Sequence, residues 1–190
     1  DTKGIAGISY KKGNEIIHNS GRPPVEKLDD LPQPAFDLFP DLETYDKYED
    51  LAFEQAHLNR LVKAPMMSTR GCPYRCIFCS SSDFWGHRIR SRSPTNVVDE
   101  MESLRDKYDV RYVRFFDDNF NFSPQRTRDV CVEIMRRHLD VTWRMESRMN
   151  TITEDNLKLL KRAGCHMVEI GIESADQNVL RLICKGIDLG

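Results

Sequence analysis

The chain has 190 residues, with 28 Lys and Arg against 30 Asp and Glu, a net charge of −2, and 39% hydrophobic residues. That length suits one substantial domain with its own core, plus an appendage. The near balance of charge removes the global basic field of a nucleic-acid binder, and no run reaches the ~20 apolar residues of a membrane span.

No secretory pattern opens the sequence. Asp1 begins it in mid-pattern instead of with methionine, so it reads as part of a longer polypeptide. The first element is a hairpin over residues 4–20, "GIAGISYKKGNEIIHNS", with two β-type runs around a Lys-Gly-Asn turn. The next stretch, "GRPPVEKLDDLPQPAFDLFP", is rich in proline, which holds each preceding residue extended. It predicts an ordered linker lying on a surface through Val25, Leu28, Leu31, Phe36, Leu38 and Phe39. Residues 41–63 are polar and predict partial helix. The expected division is 1–63 as hairpin, linker and polar segment, and 64–190 as the N-terminal part of the main domain.

From residue 64 strands and helices alternate. "APMMST" is an apolar strand, followed by a cysteine loop and then the helix "SPTNVVDEMESLRDKY", with Ser93 as cap and Pro94 in the first turn. "VRYVRFFDD" is the second strand, and Ser123-Pro124 repeats the helix start in "SPQRTRDVCVEIMRRHL". "VTWRMES" is the third strand. "TEDNLKLLKRAG" is a helix capped by Thr153 and stopped by Gly164. "HMVEIGIES" is the fourth strand, and Ser174 with Gln177 predicts a capping box for "ADQNVLRLICKG".

This alternation predicts an α/β fold of parallel strands with right-handed crossovers, a (βα)n partial barrel preceded by the hairpin and the Pro-rich linker. Chemistry in such folds sits at the C-terminal ends of the strands. Those ends carry the cysteine loop, Asp117-Asp118-Asn119, Glu146-Ser147-Arg148, and Gly171 to Ser174 with Glu173. Arg126, Arg128, Arg136 and Arg137 read as a helix's solvated face, and His87, Arg88 and Arg90 as a surface run.

The loop "CPYRCIFC" places Cys72, Cys76 and Cys79 within eight residues. In a chain without a secretory signal such a cluster points to metal binding and to the cytoplasm. A [4Fe–4S] cube normally takes four cysteines; with three supplied locally, one iron keeps an open position. Two alternatives stand beside that reading. Zinc could take the three thiols with His87, or an electron-transfer cluster could recruit Cys131, Cys165 or Cys184. Otherwise those last three read as small core residues.

CxxxCxφC, with aromatic Phe78 before the last cysteine, resembles the signature of the radical S-adenosylmethionine (radical SAM) superfamily. "FFDDNF" and "RAGCHMVEIGIESADQNVLRLICKGI" resemble its second-strand segment and its fourth strand with the following helix. "RPPVEKLDDLPQPAFDLFP" resembles the linker to a cobalamin-binding domain in the B12-dependent branch. The resemblance implies a TIM-like barrel with about four of its six βα units present. It also implies that Cys72, Cys76 and Cys79 ligate a [4Fe–4S] cluster whose open iron is chelated by SAM, with Phe78 near the adenine. Asp117, Asp118 and Asn119 take the place of the family's glycine-rich segment that binds the methionine amino group, without its glycines. Glu146, Ser147 and Arg148 are then candidate ribose and carboxylate contacts, and Glu173 lies at the sugar edge or in a supporting ion pair. The implied reaction is reductive cleavage of SAM to a 5′-deoxyadenosyl radical, with cobalamin-dependent methyl transfer to an unactivated carbon or oxidative cyclisation. Implied partners are a small-molecule substrate and a low-potential donor such as flavodoxin or ferredoxin. Cobalamin would be held by an upstream domain, because no "DxHxxG" pattern occurs in this chain.

Overall fold

The computed structural model describes residues 2–39, 42, 58 and 61–190. The partial helix expected over 41–63 therefore lies outside the described residues, apart from Leu42, Leu58 and residues 61–63. The hairpin forms as β1 (Ser9–Lys12) and β2 (Glu15–His18), antiparallel, with Ser9 opposite His18 and Lys12 opposite Glu15.

A parallel four-stranded sheet follows, in the order β3 (Val62–Met66), β6 (Val110–Phe115), β7 (Thr142–Ser147), β8 (Cys165–Ile170). Two short strands, β4 (Thr69–Arg70) and β5 (Arg90–Ser91), pair antiparallel across the base of the cysteine loop. The helices are α1 (Ser81–Trp85), α2 (Pro94–Tyr108), α3 (Pro124–Arg136), α4 (Glu154–Arg162) and α5 (Gln177–Leu182). The strand–helix alternation is the predicted one; α1 had no clear sequence signal. Among the described residues no helix is long and apolar enough to cross a membrane.

The predicted caps at Ser93, Ser123 and Thr153 each accept the backbone N–H three residues on, which satisfies donors that a helix leaves unpaired. The fourth differs. Asp176, not Ser174, caps α5, because its carboxylate takes both the Asn178 and Val179 amides. Ser174 accepts the Asp176 amide in a local turn, and Gln177 bonds Ile187 and Leu189 instead.

Helices α2 to α4 cover one face of the sheet. Val97, Val98, Met101, Leu104, Val130, Cys131, Ile134 and Leu160 meet Val113, Phe115, Trp143 and Met145 there. Trp143 is wholly buried; its indole N–H donates to Ala163 O at 2.8 Å, and Phe115 packs edge-on at 5.6 Å. The linker is ordered in two 3₁₀ turns, Leu28–Asp30 and Phe36–Leu38. Leu28 and Phe36 are buried, and Phe36 joins the main core. Polar bonds also hold the linker down: Asp29 accepts the Ser93 amide, and Arg90 donates to Val25 O.

Arg90 therefore departs from the expected surface run, since the linker and Trp85 O take its guanidinium. Arg126 likewise is not on a solvated face. It is buried, donating to Ser68 O and Arg92 O. Of the three scattered cysteines, Cys131 and Cys165 are core residues, whereas Cys184 is exposed in the turn after α5.

Candidate active site

The side chains at the C-terminal ends of the strands converge on one open cleft of about 460 Å³. The cysteine loop forms one wall, with Cys72, Cys76, Phe78 and Cys79. The β6 and β7 ends contribute Asp118, Glu146, Ser147 and Arg148. The third wall is Glu169, Ile170, Gly171, Glu173 and Lys185.

The loop's conformation is fixed from below. The β4–β5 ladder closes its two ends, and Cys72 N–H donates to Gly86 O at 3.3 Å. Gly71 makes that crossing possible: its φ is +98°, and a Cβ there would lie 2.4 Å from Arg88 O. Asp117 anchors β4. Its Oδ1 accepts the Ser68 and Thr69 amides at 2.6 and 2.9 Å, and Oδ2 accepts the Ser68 hydroxyl. Asp117, expected at the cofactor, instead lies buried under the loop just past the end of β6, and Asp118, in the turn that follows, lines the cleft. Asn119 is also buried away from the cleft and accepts a 3.4 Å bond from Ser147 Oγ.

The three loop thiols are unpaired and share one cleft, as a cluster held at three separate irons requires. Burial pushes the Cys72 thiol up, and Asp118 and Cys79 add to that; the Tyr74 amide and the Arg148 guanidinium pull the other way. Among the described residues no three His, Cys, Asp or Glu side chains converge closely enough for a single ion. His87, the fourth ligand of the zinc alternative, instead places Nδ1 3.3 Å from Cys72 O. Cys131, on α3, and Cys165, at the start of β8, are buried in the main core and do not line the cleft, which removes them as ligands for this loop.

Opposite the thiols the cleft is acidic. Burial raises the Glu146 carboxyl, and Glu169 and Asp118 raise it further, against Arg114 and Arg144. Arg144 reaches Glu169 at 3.2 Å. Lys185 Nζ donates to Glu173 Oε1 at 2.8 Å and stands 5.7 Å from the Phe78 ring. Gly171 leaves room for this pair, since a Cβ would lie 2.7 Å from Glu173 Oε1. Sequence reasoning missed Glu169 and Lys185. A carboxylate inside the apolar run "MVEIGI" was a usable signal, whereas Lys185 had none, because only the fold carries it to Phe78.

The Radical SAM superfamily pattern matches residues 66–189. The chain belongs to the radical SAM superfamily. It is 36% identical over 98% of its length to an uncharacterised methyltransferase of Pyrococcus horikoshii, spanning 38% of that protein. It is also 30% identical over 97% of its length to the anaerobic magnesium-protoporphyrin IX monomethyl ester cyclase of Rubrivivax gelatinosus, spanning 32% of it. This radical SAM chain thus covers about a third of the curated relatives it matches. Its fold is that of the cobalamin-dependent S-adenosylmethionine radical enzyme OxsB, at TM-score 0.73 and 21% identity over 96% of this chain and 26% of that one. The radical SAM methyltransferase TsrM of Kitasatospora setae follows at TM-score 0.71 and 23% identity, over 95% and 34%.

Proposed function

We propose that this chain forms the cofactor-cleaving part of a B12-dependent radical SAM methyltransferase acting on a small-molecule substrate. The observation that carries the reading is one cleft lined by three free thiols together with Asp118, Glu146, Glu169 and Glu173. Cys72, Cys76 and Cys79 would hold a [4Fe–4S] cluster and leave one iron for SAM. When bound, such a cluster supplies the low-potential electron that cleaves SAM into methionine and a 5′-deoxyadenosyl radical, which takes hydrogen from the substrate.

The protein's own residues bind and orient. Asp118 and Glu146 face a co-substrate that carries a sulfonium and an ammonium, and charge-assisted bonds favour that pairing. Phe78, half exposed on the cleft wall, offers its face to the adenine. Glu173, held by Lys185, presents its second oxygen to the ribose edge. Ser147, with Asn119 behind it, lines the floor. Cobalamin is assigned to a domain upstream of residue 1, with residues 1–63 as the link to it, and the electron to a donor such as flavodoxin or ferredoxin in the cytoplasm. Support for methyl transfer comes from relatives named as methyltransferases, including a cytidylyl-2-hydroxyethylphosphonate enzyme of Streptomyces wedmorensis and a bacteriochlorophyllide d enzyme of Chlorobaculum tepidum. The cyclase relative favours oxidative cyclisation as the second reading.

The test is anaerobic reconstitution of the intact protein, with iron and sulfide analysis and electron paramagnetic resonance with and without SAM. The expected result is about four irons and four sulfides per chain, a spectrum that SAM alters, and release of 5′-deoxyadenosine under reduction. Bound zinc without iron or sulfide would sink the reading. Product mass, increased by a methyl group or decreased by hydrogen, separates methyl transfer from cyclisation.

A further inference from the structure

We propose that Arg148 is the positioning residue of the cysteine loop and the counter-charge of the cluster it binds, an inference that rests on the radical SAM reading above. Arg148 directly follows β7, at a strand end where cations are commonly solvated, yet it is only 5% exposed. Each of its three nitrogens and one of its faces meets a protein partner. The face covers the Tyr74 ring with Cζ 3.6 Å from the centroid. Nη1 lies 3.5 Å from Cys76 Sγ, Nη2 donates to Lys185 O, and Nε reaches Asn150 Oδ1 at 3.4 Å.

One side chain therefore ties together three pieces of chain distant in sequence: the end of β7, the cysteine loop, and the strap that follows α5. The strap holds the loop independently as well, through Ile77 N–H donating to Ile183 O at 3.1 Å. A planar fork that stacks and donates in several directions suits this position, and a lysine point charge does not. Nε, Nη1 and Nη2 each already serve a protein partner and one face covers Tyr74, so Arg148, although it lines the cleft, acts first on the loop rather than as the carboxylate contact expected of it from sequence.

The electrostatic consequence has a definite sign. Three thiolates gather negative charge, and reduction of the cluster adds one more. A fixed cation beside Cys76 in a partly desolvated wall stabilises the more negative, reduced state. Removing it makes the cluster harder to reduce.

The experiment compares the intact protein as wild type, R148Q and R148K. Reconstituted samples are titrated for redox potential by electron paramagnetic resonance, and the matching apoproteins are examined by amide hydrogen exchange. In R148Q the ratio of reduced to oxidised cluster at a fixed solution potential falls about tenfold, ~59 mV for one electron. R148K, which keeps the charge and loses the fork, lies between. In apo R148Q the Ile77 amide exchanges about tenfold faster while β6 and β7 amides stay protected. If R148Q loses sheet protection as well, R148K carries the comparison. Unchanged potential with unchanged Ile77 exchange overturns the proposal, and so does a variant whose only defect is weaker SAM binding. Wild-type protein that takes up no iron or sulfide overturns the functional reading instead, and exchange in the apoproteins still judges the clamp.

Discussion

Asp117→Ala separates a residue that holds the loop from one that touches SAM. The carboxylate accepts two backbone amides, Ser68 N–H at 2.6 Å and Thr69 N–H at 2.9 Å, and the Ser68 hydroxyl. Ser68, Thr69 and Asp117 are all buried, so water does not replace the lost acceptor. The hydroxyl can rotate to another partner, but the two amides cannot. Each orphaned buried donor costs about 1–3 kcal/mol, which sets the loss at about 2–6 kcal/mol. Against a total stability of roughly 5–15 kcal/mol that is a large fraction. Asp117→Asn keeps one oxygen for the two amides and gives up the charge facing Arg126, so it costs less, about 1–2 kcal/mol. Urea unfolding of the apoproteins measures both losses, and iron retention after desalting reports the loosened loop. An Ala variant within about 0.5 kcal/mol of wild type would refute the reasoning. So would normal stability with a specific loss of SAM affinity, which would return Asp117 to the cofactor.

Gly71→Ala must strain a φ of +98° and force a Cβ against Arg88 O; it is expected to cost about 2–4 kcal/mol and to lower cluster content, read by melting and iron analysis. Trp143→Phe leaves Ala163 O without its indole donor and opens space beside Phe115 and Phe120, for about 2 kcal/mol in urea unfolding, and Trp143→Ala about 3–5 kcal/mol. The Arg136 and Arg137 guanidinium groups bonded to Glu133 hold its carboxyl down at about 2. That depressed value adds stability above the unfolded carboxylate range, which is lost as pH falls from about 5 toward about 2. Glu133→Gln should therefore melt below wild type at pH 7, with the gap closing through that window; a gap independent of pH would contradict it.

Local rules carried most of the fold. Ser-Pro at 93–94 and 123–124 marks two helix starts, because capping and a proline in the first turn are decided within a few residues. The α5 start was misplaced where two capping side chains stand two residues apart and the carboxylate reaches more amides. Spacing marked the three thiols as a metal-binding cluster, but the choice among iron–sulfur, zinc and electron transfer came from the resemblance. Asp117 and Asp118 were not separable, because neighbouring carboxylates look alike until the backbone sends them to opposite sides. Arg126 and Arg90 were read as wet because sequence does not show what packs above a helix or strand, here Ser68, the linker and Trp85. Lys185 and the clamp by Arg148 depend on contacts over long sequence separations, which no local pattern encodes.

The strap over the cysteine loop also sets a schedule for biosynthesis. Ile183 and Lys185 leave the ribosome roughly 100 residues after the thiols, which at ~5–20 residues per second leaves the loop without its closing partners for about 5–20 s. During that interval the three neighbouring thiols are held only from below, by the β4–β5 ladder and Asp117, and their exchange chemistry is governed by access. A nascent chain stalled before α5 presents the cysteines without the Ile183 and Lys185 contacts that close the loop. Closure of the loop is thus coupled to synthesis of the segment through Lys185, well after the thiols themselves and after Arg148.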